Sequence, residues 1–166
     1  MAYQGFSFQA RVPDGWISTD PSAVHEDGAS LVLLRQADLA RPFTTNITVS
    51  EQRVRNADLP RFAAAYRRRL AGRTKQLAVM REARLSDTPP RQHAQELRFT
   101  LTLDGGDVEV MQAQFLTAVP TEGSGDYLMQ TVLSAPADVY PAAKGELAEF
   151  VESLSSTWNS SAGGTP

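Results

Sequence analysis

The regular alternation of apolar and polar residues predicts that much of this chain forms β-strands. Near the start, Phe6, Phe8, Ala10 and Val12 alternate with polar residues, the period of two that a half-buried strand shows. The same pattern, or a short apolar run, predicts strands at residues 16–17, 30–34, 46–50, 76–85, 96–103, 108–119 and 127–134. The last three are long and are joined by turn-forming residues, which favours an antiparallel meander.

Two other segments repeat their apolar residues at helical spacing. In the first, Asp58 is a suitable N-cap, Pro60 fits the first turn and Gly72 suits the end, and the second segment follows Pro141. The apolar stripes are Leu59, Phe62, Ala63, Tyr66 and Leu70 in the first helix and Leu147, Phe150, Val151, Leu154 and Trp158 in the second. Because each stripe has to be buried, the sequence predicts an α+β fold, an antiparallel sheet flanked by two amphipathic helices.

Length and composition favour one domain. The chain has 166 residues, 42% of them hydrophobic, which is enough for one sizeable core. We predict a single domain over residues 1–158 and a flexible C-terminal tail at 159–166, where the residues are small and polar.

Charge and hydropathy argue against nucleic-acid binding and against a membrane-spanning segment. The net charge is -3 and no basic excess exists, so nucleic acid is not expected as a partner. No stretch approaches the ~20 apolar residues of a membrane span, so no integral membrane segment is expected. The first residues show no signal sequence and cysteine is absent, which leads us to expect a cytoplasmic protein.

The residues that usually carry catalysis form no recognisable motif. The two histidines, His25 and His93, have no metal-ligand spacing, and we expect them to be exposed or locally hydrogen-bonded. We therefore predict a protein that is not an enzyme, with no catalytic residues, no metal site and no cofactor. The alternative, an enzyme whose site is assembled only in the fold, requires a cleft that holds His93 against a carboxylate.

Two further segments have a simple structural interpretation. Gly105 and Gly106 suit a hairpin turn, because no helix follows them to bind a phosphate. Arg67, Arg68 and Arg69 would point in three directions on a helix, which favours a solvated outer surface over a patch for phosphate or an acidic partner.

The meander contains the candidate binding surface. Gln112 and Gln114 alternate on one strand, and Gln130 lies on the next between Leu128 and Val132, with Thr100 and Thr102 on the preceding strand. If the register aligns them, one sheet face combines amide and hydroxyl groups with apolar ones, which suits a peptide or helix laid in a groove. A solvated sheet face is the simpler explanation, since outward polar residues are normal in antiparallel sheets.

Several ordered segments carry a resemblance to a known fold. They are Phe6-Ser7-Phe8, Val12-Pro13-Asp14-Gly15-Trp16, Leu31-Val32-Leu33-Leu34, Asn46-Ile47-Thr48-Val49, Met111-Gln112-Ala113-Gln114-Phe115-Leu116 and Leu133-Ser134-Ala135-Pro136-Ala137-Asp138. Together they resemble the PsbP-like fold, and within it the DcrB-type family and the LpqN-type proteins.

That resemblance implies a non-enzymatic accessory, adaptor or chaperone protein. The DcrB-type group includes the Eag chaperones, which hold transmembrane segments of secretion effectors in a sheet groove, and Gln114 resembles a groove glutamine of those chaperones. We therefore predict a module that holds an apolar or helical segment of a secreted or membrane protein. On this hypothesis, replacing Gln114 or Gln130 by alanine weakens partner capture and leaves the melting temperature nearly unchanged.

An LpqN-like protein of the cell envelope is the alternative within the same resemblance. Such a protein would bind a small or lipidic ligand in a closed pocket between helix and sheet, lined by aromatic side chains such as Tyr66 and Phe62.

Overall fold

A seven-stranded antiparallel sheet with one long helix on each face forms the body of the protein. The computed structural model describes residues 2–4, 8–121 and 125–162. The strands are β1 Ala2–Gln4, β2 Gln9–Arg11, β3 Trp16–Thr19, β4 Leu31–Arg35, β5 Asn46–Val54, β6 Lys75–Ser86, β7 Arg91–Leu103, β8 Gly106–Pro120 and β9 Asp126–Pro136. The helices are α1 Leu59–Ala71 and α2 Tyr140–Ala162, with short 3-10 turns at Pro21–Val24 and Gln36–Asp38. The α+β prediction is confirmed.

The strand order is β3-β4-β5-β9-β8-β7-β6, and β1 pairs with β2 in a separate two-stranded sheet. The meander of β7, β8 and β9 is present as predicted, with β7 and β8 joined by a tight turn after Leu103. The local pattern did not indicate that β5 pairs with β9. This pairing places β3, β4 and β5 next to the last strand of the meander. Of the predicted first strand, Gln9–Arg11 form β2, and Phe6 and Ser7 lie outside the described part of the chain.

Helix α1 begins and ends where its capping residues indicated. The Asp58 side chain accepts a hydrogen bond of 3.1 Å from the Arg61 backbone N–H, and Gly72 follows the last helical residue. Leu59, Ala63 and Leu70 are buried where α1 packs against β6, β7 and β8. The helix therefore packs mainly on β6, β7, β8 and the Leu128 region of β9, and it leaves β5 and the rest of β9 uncovered on this face.

Helix α2 packs on the opposite face and closes the main core. Leu147, Phe150 and Leu154 are fully buried in one apolar cluster with Ile47 and Leu133 of the sheet. The helix extends to Ala162, into the segment predicted as a tail, whose flexibility stays a prediction. The side chain of Trp158 lies outside the described part. Among the described residues, neither helix has both the length and the apolar character needed to cross a membrane.

Candidate functional site

The sheet register places five of the seven predicted site residues on one face. Gln112 pairs with Ser134, Gln114 pairs with Val132, and Gln130 lies opposite Leu116. Paired residues of an antiparallel sheet point to the same side, so these three glutamines share the face on which α1 packs. Leu128 and Val132 alternate with residues of the other face and belong to the same side.

The remaining two residues, Thr100 and Thr102, lie on the opposite face, so their predicted alignment with the glutamines is wrong. Across the tight β7–β8 turn, Gln112 pairs with Leu97 and Gln114 with Gln95, whereas Thr100 pairs with Glu109. Because side chains alternate along a strand, Thr100 and Thr102 point towards the α2 side. The sequence does not give the register between β7 and β8, and a shift of that register by one residue moves every side chain of a strand to the other face of the sheet.

Gln114 lies beneath α1 in a chain of hydrogen bonds and is only 1% exposed. Arg67 Nη1 donates to Gln95 Oε1 at 2.7 Å, Gln95 Nε2 donates to Gln114 Oε1, and Gln114 Nε2 donates to Gln130 Oε1 at 3.0 Å. Buried amides need such partners, since an unsatisfied one costs about 1–3 kcal/mol. Gln114 is therefore not an open contact residue: its described partners belong to the protein itself.

Gln112 is the second buried glutamine of this face. Its Oε1 accepts from the Tyr66 hydroxyl at 2.8 Å, and its Nε2 donates to Ser134 Oγ at 2.9 Å. Burial raises the pKa of Tyr66 to about 12 despite the hydrogen bond to Gln112, with the Glu26 charge adding to the rise. The phenol is consequently neutral near pH 7 and holds α1 to the sheet as a donor.

Beside α1 the same face opens into a groove with a volume of about 510 Å³. Its floor is the uncovered part of the sheet, and its walls are α1 and the loop before β4. The lining residues are Glu26, Gly28, Ala29, Asn46, Thr48, Ser50, Tyr66, Arg69, Leu70, Arg73, Gln112, Gln130, Val132 and Ser134. We refer to this set as the α1 groove. Gln112, Gln130 and Val132 are the predicted site residues that line it.

A smaller cavity of about 270 Å³ continues the α1 groove along the sheet. It shares Arg73, Gln112 and Ser134 with the groove and adds the apolar side chains of Phe43, Phe99 and Leu101. The combined surface therefore offers polar groups along the floor and apolar contacts at one end. Such a mixture can bind a segment that carries both kinds of side chain.

The groove residues that the sequence did not predict come from the loop before β4, from β5, from the C-terminal part of α1 with Arg73 after it, and from Ser134 of β9. Asn46, Thr48 and Ser50 occupy alternate positions of β5 and are all half-buried, opposite Ser134, Val132 and Gln130. These polar residues alternate with Ile47 and Val49, a pattern that predicts a strand but not a binding site. The position of β5 next to β9, which makes these residues part of the site, is a long-range pairing that no local pattern encodes.

The three successive arginines of α1 have different environments, as their angular spacing implies. Arg67 forms an ion pair of 3.0 Å with Glu82 beneath the helix, Arg68 is exposed, and Arg69 lies at the rim of the α1 groove. The solvated surface that we predicted therefore applies to Arg68 and Arg69, and Arg67 is the exception. In the part of the chain that the structure describes, neither Arg69 nor Arg73 forms an ion pair.

The histidines differ from each other as well. His25 is exposed, whereas His93 is 6% exposed and its Nε2 lies 3.0 Å from Glu82 Oε1. Burial raises the pKa of Glu82, but the contacts with Arg67 and His93 outweigh it and hold that pKa below its usual value. His93 also lines a polar cleft of about 330 Å³ with Arg91 at the start of α1. Within the described residues, no three potential ligands cluster in a way that could hold a metal ion.

Comparison with solved structures gives the fold of the chain a precedent. The CyanoP protein of Synechocystis sp. PCC 6803, a cyanobacterial PsbP, is similar over 92% of this chain and 89% of its own, with a TM-score of 0.64 and 16% identity. LpqN of Mycobacterium tuberculosis, involved in cell envelope biogenesis, is similar over 86% of this chain and 79% of its own, with a TM-score of 0.59 and 13% identity. This chain has the PsbP-like fold.

The yeast Ran-binding protein Mog1p, from Saccharomyces cerevisiae, shares this architecture. It is similar over 95% of this chain and 93% of its own, with a TM-score of 0.56 and 14% identity. The sequence matches no protein-family model and no curated protein. At these identities the likeness concerns the PsbP-like fold, and the chemistry of the α1 groove has to be argued from the residues of this chain.

Proposed function

We propose that this protein is a non-enzymatic accessory module that binds a segment of a protein partner in the α1 groove. The observation that carries the proposal is the groove itself, in which Gln130, Asn46, Thr48 and Ser50 line a sheet surface that α1 leaves uncovered. Among proteins of similar fold, Mog1p is a Ran-binding protein and LpqN is involved in cell envelope biogenesis. Both descriptions agree with an accessory role.

The construction of the groove favours a peptide segment as occupant. The amides and hydroxyls of its floor stand on the central strands β5, β8 and β9, and the amides of Asn46, Gln112 and Gln130 are held by hydrogen bonds within the protein. A preorganised surface of this kind loses little side-chain entropy on binding. The adjoining cavity can take apolar side chains against Phe43 and Phe99. An adaptor or chaperone that holds a partly apolar segment would use both regions together.

An LpqN-like role with a small or lipidic ligand is the alternative. It called for a closed pocket lined by Tyr66 and Phe62. Tyr66 does line the α1 groove, but Phe62 packs against a different apolar cluster that contains Leu116 and Leu128. Since most of the lining is polar and only one of the two aromatic side chains takes part, the groove suits a peptide better than a lipid chain.

The enzyme alternative concerns the cleft that contains His93. It required this histidine against a carboxylate, and Glu82 is that neighbour. However, Glu82 also binds Arg67, and Arg67 holds Gln95 beneath α1. We propose that the pair is structural, because it belongs to the contacts that fix the helix on the sheet. Retention of all partner binding by His93→Gln, together with a lower melting temperature, would support this assignment.

Site-specific photo-crosslinking tests the proposal. A photoreactive residue at Ser50 lies in the groove, and one at Thr102 lies on an exposed strand position of the opposite face. We expect the Ser50 probe, expressed in the native host, to form adducts with a polypeptide at a defined segment, and the Thr102 probe to form none with it. A lipid or small-molecule adduct at Ser50, or identical adducts at both sites, would contradict the proposal.

Filling the α1 groove with a large side chain is a second test, because it should weaken partner binding. Thr48→Trp places a large ring in the groove, and Thr102→Trp makes the same change on the other face. Both positions are in strands, where tryptophan is tolerated. Partner binding should fall at least about tenfold for Thr48→Trp, which corresponds to about 1.4 kcal/mol, and stay unchanged for Thr102→Trp.

A further inference from the structure

The amide of Gln95 has a fixed orientation because its two ends face groups of opposite character. Arg67 Nη1, which can only donate, lies 2.7 Å from Gln95 Oε1. The carbonyl oxygen of Ala63, which can only accept, lies 3.2 Å from Gln95 Nε2. Reversing the amide would place donor against donor and acceptor against acceptor, so the Gln95 amide has one stable orientation.

This orientation is transmitted to the groove. Gln95 Nε2 donates to Gln114 Oε1, which leaves Gln114 Nε2 to donate to Gln130 Oε1 at 3.0 Å. Gln130 thus turns its acceptor inward, and its NH2 group remains for the α1 groove that it lines. Among the described residues no acceptor bonds to Gln130 Nε2. The charge of Arg67, beneath the helix, therefore makes Gln130 a hydrogen-bond donor at the site.

Gln112 lacks this constraint. It lies between the hydroxyls of Tyr66 and Ser134, each of which can donate or accept. Gln112 can consequently reverse its amide at little cost, whereas Gln130 cannot. Of the two groove glutamines, only Gln130 can discriminate between a ligand acceptor and a ligand donor.

We propose that the α1 groove selects a carboxylate of the bound segment, held by the Gln130 NH2 group and the Arg69 guanidinium. This inference rests on the proposed function and names the chemistry that the groove recognises. Arg69 is exposed and has no ion pair among the described residues, so its donors are free to bind a carboxylate. Arg73, just beyond the C-terminal end of α1, adds a second positive charge to the lining of the groove.

The location of the carboxylate follows from the distribution of charge. Glu26 and Arg73 line both the groove and the adjoining cavity, whereas Arg69 and Gln130 line the groove alone. A carboxylate near Glu26 would be repelled, so the favourable place is the part of the groove outside the adjoining cavity, which Arg69 and Gln130 line. The adjoining cavity with Phe43 and Phe99 then receives the apolar part of the segment.

Two peptides that differ only in their side-chain end groups test the selection. The probes are acetyl-Ala-Glu-Ala-Glu-Leu-amide and acetyl-Ala-Gln-Ala-Gln-Leu-amide, titrated into uniformly ¹⁵N-labelled full-length protein at pH 7. We expect the glutamate peptide to bind about tenfold tighter and to shift the side-chain NH2 signals of Gln130. A third peptide, acetyl-Ala-Gln-Ala-Gln-Leu with a free C-terminus, shows whether the carboxylate can also come from a chain end.

Three substitutions assign the effect to the named groups. Gln130→Glu keeps the inward acceptor for Gln114 but replaces the outward donor by an acceptor, so it should lose about tenfold in affinity for the glutamate peptide. Arg69→Gln should lose about as much. Arg68→Gln removes the same charge from an exposed position outside the groove and should change affinity less than about twofold.

Several results would overturn the inference. They are equal affinity for the glutamate and glutamine peptides, full affinity of Gln130→Glu for the glutamate peptide, and equal losses in Arg68→Gln and Arg69→Gln. If these occur while the Ser50 probe still crosslinks to a polypeptide, carboxylate selection is wrong and the proposed function stands. If the Ser50 probe captures no polypeptide, the proposed function itself fails.

Discussion

The two faces of the sheet are built on different principles. Beneath α2 the buried contacts are mainly apolar, with Phe150, Leu147 and Leu133 fully buried in one cluster, and polar contacts lie at the edges of the helix. Beneath α1 the buried layer includes the amides of Gln95 and Gln114, and apolar clusters lie on both sides of them. The same sheet thus rests on a hydrophobic interface on one face and on a hydrogen-bonded one on the other.

The difference indicates what each face contributes. Burying apolar area stabilises the fold in proportion to the area and has little directional preference. Burying amides contributes less net stability, but each amide requires its partner in one geometry. We infer that α2 supplies most of the stability, whereas the α1 side fixes the orientation of groups that reach the groove. Substitutions on the two faces should therefore differ in how much stability they remove.

The largest effect is expected on the α2 side. Phe150→Ala removes a fully buried ring and should lower the free energy of unfolding by about 3–5 kcal/mol, because the transfer energy is lost and a cavity remains. Urea unfolding followed by circular dichroism measures the change, with Glu149→Ala, exposed on the same helix, as control. A loss below about 1 kcal/mol would contradict the assignment of the main core to this face.

A smaller loss of stability is expected when a hydrogen-bonded amide beneath α1 is removed. Gln114→Leu deprives Gln95 Nε2 and Gln130 Oε1 of a partner and should cost about 1–3 kcal/mol. This replaces the expectation from the sequence that changing Gln114 leaves the melting temperature nearly unaltered. Gln52→Leu is the matched control, since Gln52 is exposed on β5 of the same face. Equal stability of the two variants would show that the amide chain is not needed to hold α1.

The ion pair between Arg35 of β4 and Glu146 of α2 should make the stability of the protein depend on pH. Arg35 binds Glu146 through two contacts of 2.9 and 3.0 Å, and these lower the pKa of Glu146 against the opposing effect of burial. A carboxyl pKa that is depressed in the folded state stabilises the protein above the unfolded value of about 4.5. That stability is lost as the pH falls through the folded pKa.

Glu146→Gln should therefore be less stable than the unmodified protein at pH 7, and the gap should close below pH ~4. We expect at most about 1 kcal/mol, because the Glu146 side chain is 29% exposed and solvent screens the pair. Thermal unfolding between acid and neutral pH measures the gap, with Glu149→Gln on the exposed side of α2 as control. A gap that widens on acidification would reverse the sign of this linkage.

The smallest effect is expected at the two misassigned threonines. Thr100→Val and Thr102→Val should change stability by less than about 0.5 kcal/mol and leave the affinity for the glutamate peptide unaltered, because they lie on the face opposite the groove. Peptide titration of both variants beside Thr48→Trp makes the comparison direct. Impaired binding in a threonine variant would mean that the binding surface extends to the α2 side.

Local patterns predicted the elements well because amphipathicity and capping act over a few residues. Asp58, Pro60 and Gly72 marked helix α1, and alternation marked the three strands of the meander. The shared face of Gln112 and Gln114 follows from their spacing of two. The prediction that Gln114 contacts a partner requires an exposed side chain, and this part was wrong because α1 covers Gln114. No local signal in the sequence indicated this cover.

Local patterns could not predict the α1 groove. Its lining comes from the loop at Glu26, from β5, from α1 and the residues just after it, and from β9, which are far apart in the chain. They meet only because β5 pairs with β9 and because α1 packs on β6 to β8. Both choices depend on burying the most apolar area in the whole molecule, a quantity that no single segment contains.

Residue patterns along the chain were enough to predict which segments are helices and strands, which of their sides is apolar, and that the fold is α+β. Which amides are buried, which one turns its NH2 group to the groove, and where α1 stops covering the sheet emerge only once the chain is folded. The physical reason is the range of the interactions. Side-chain periodicity is set within a few residues, whereas the direction of the Gln130 amide depends on Arg67 through two intervening glutamines.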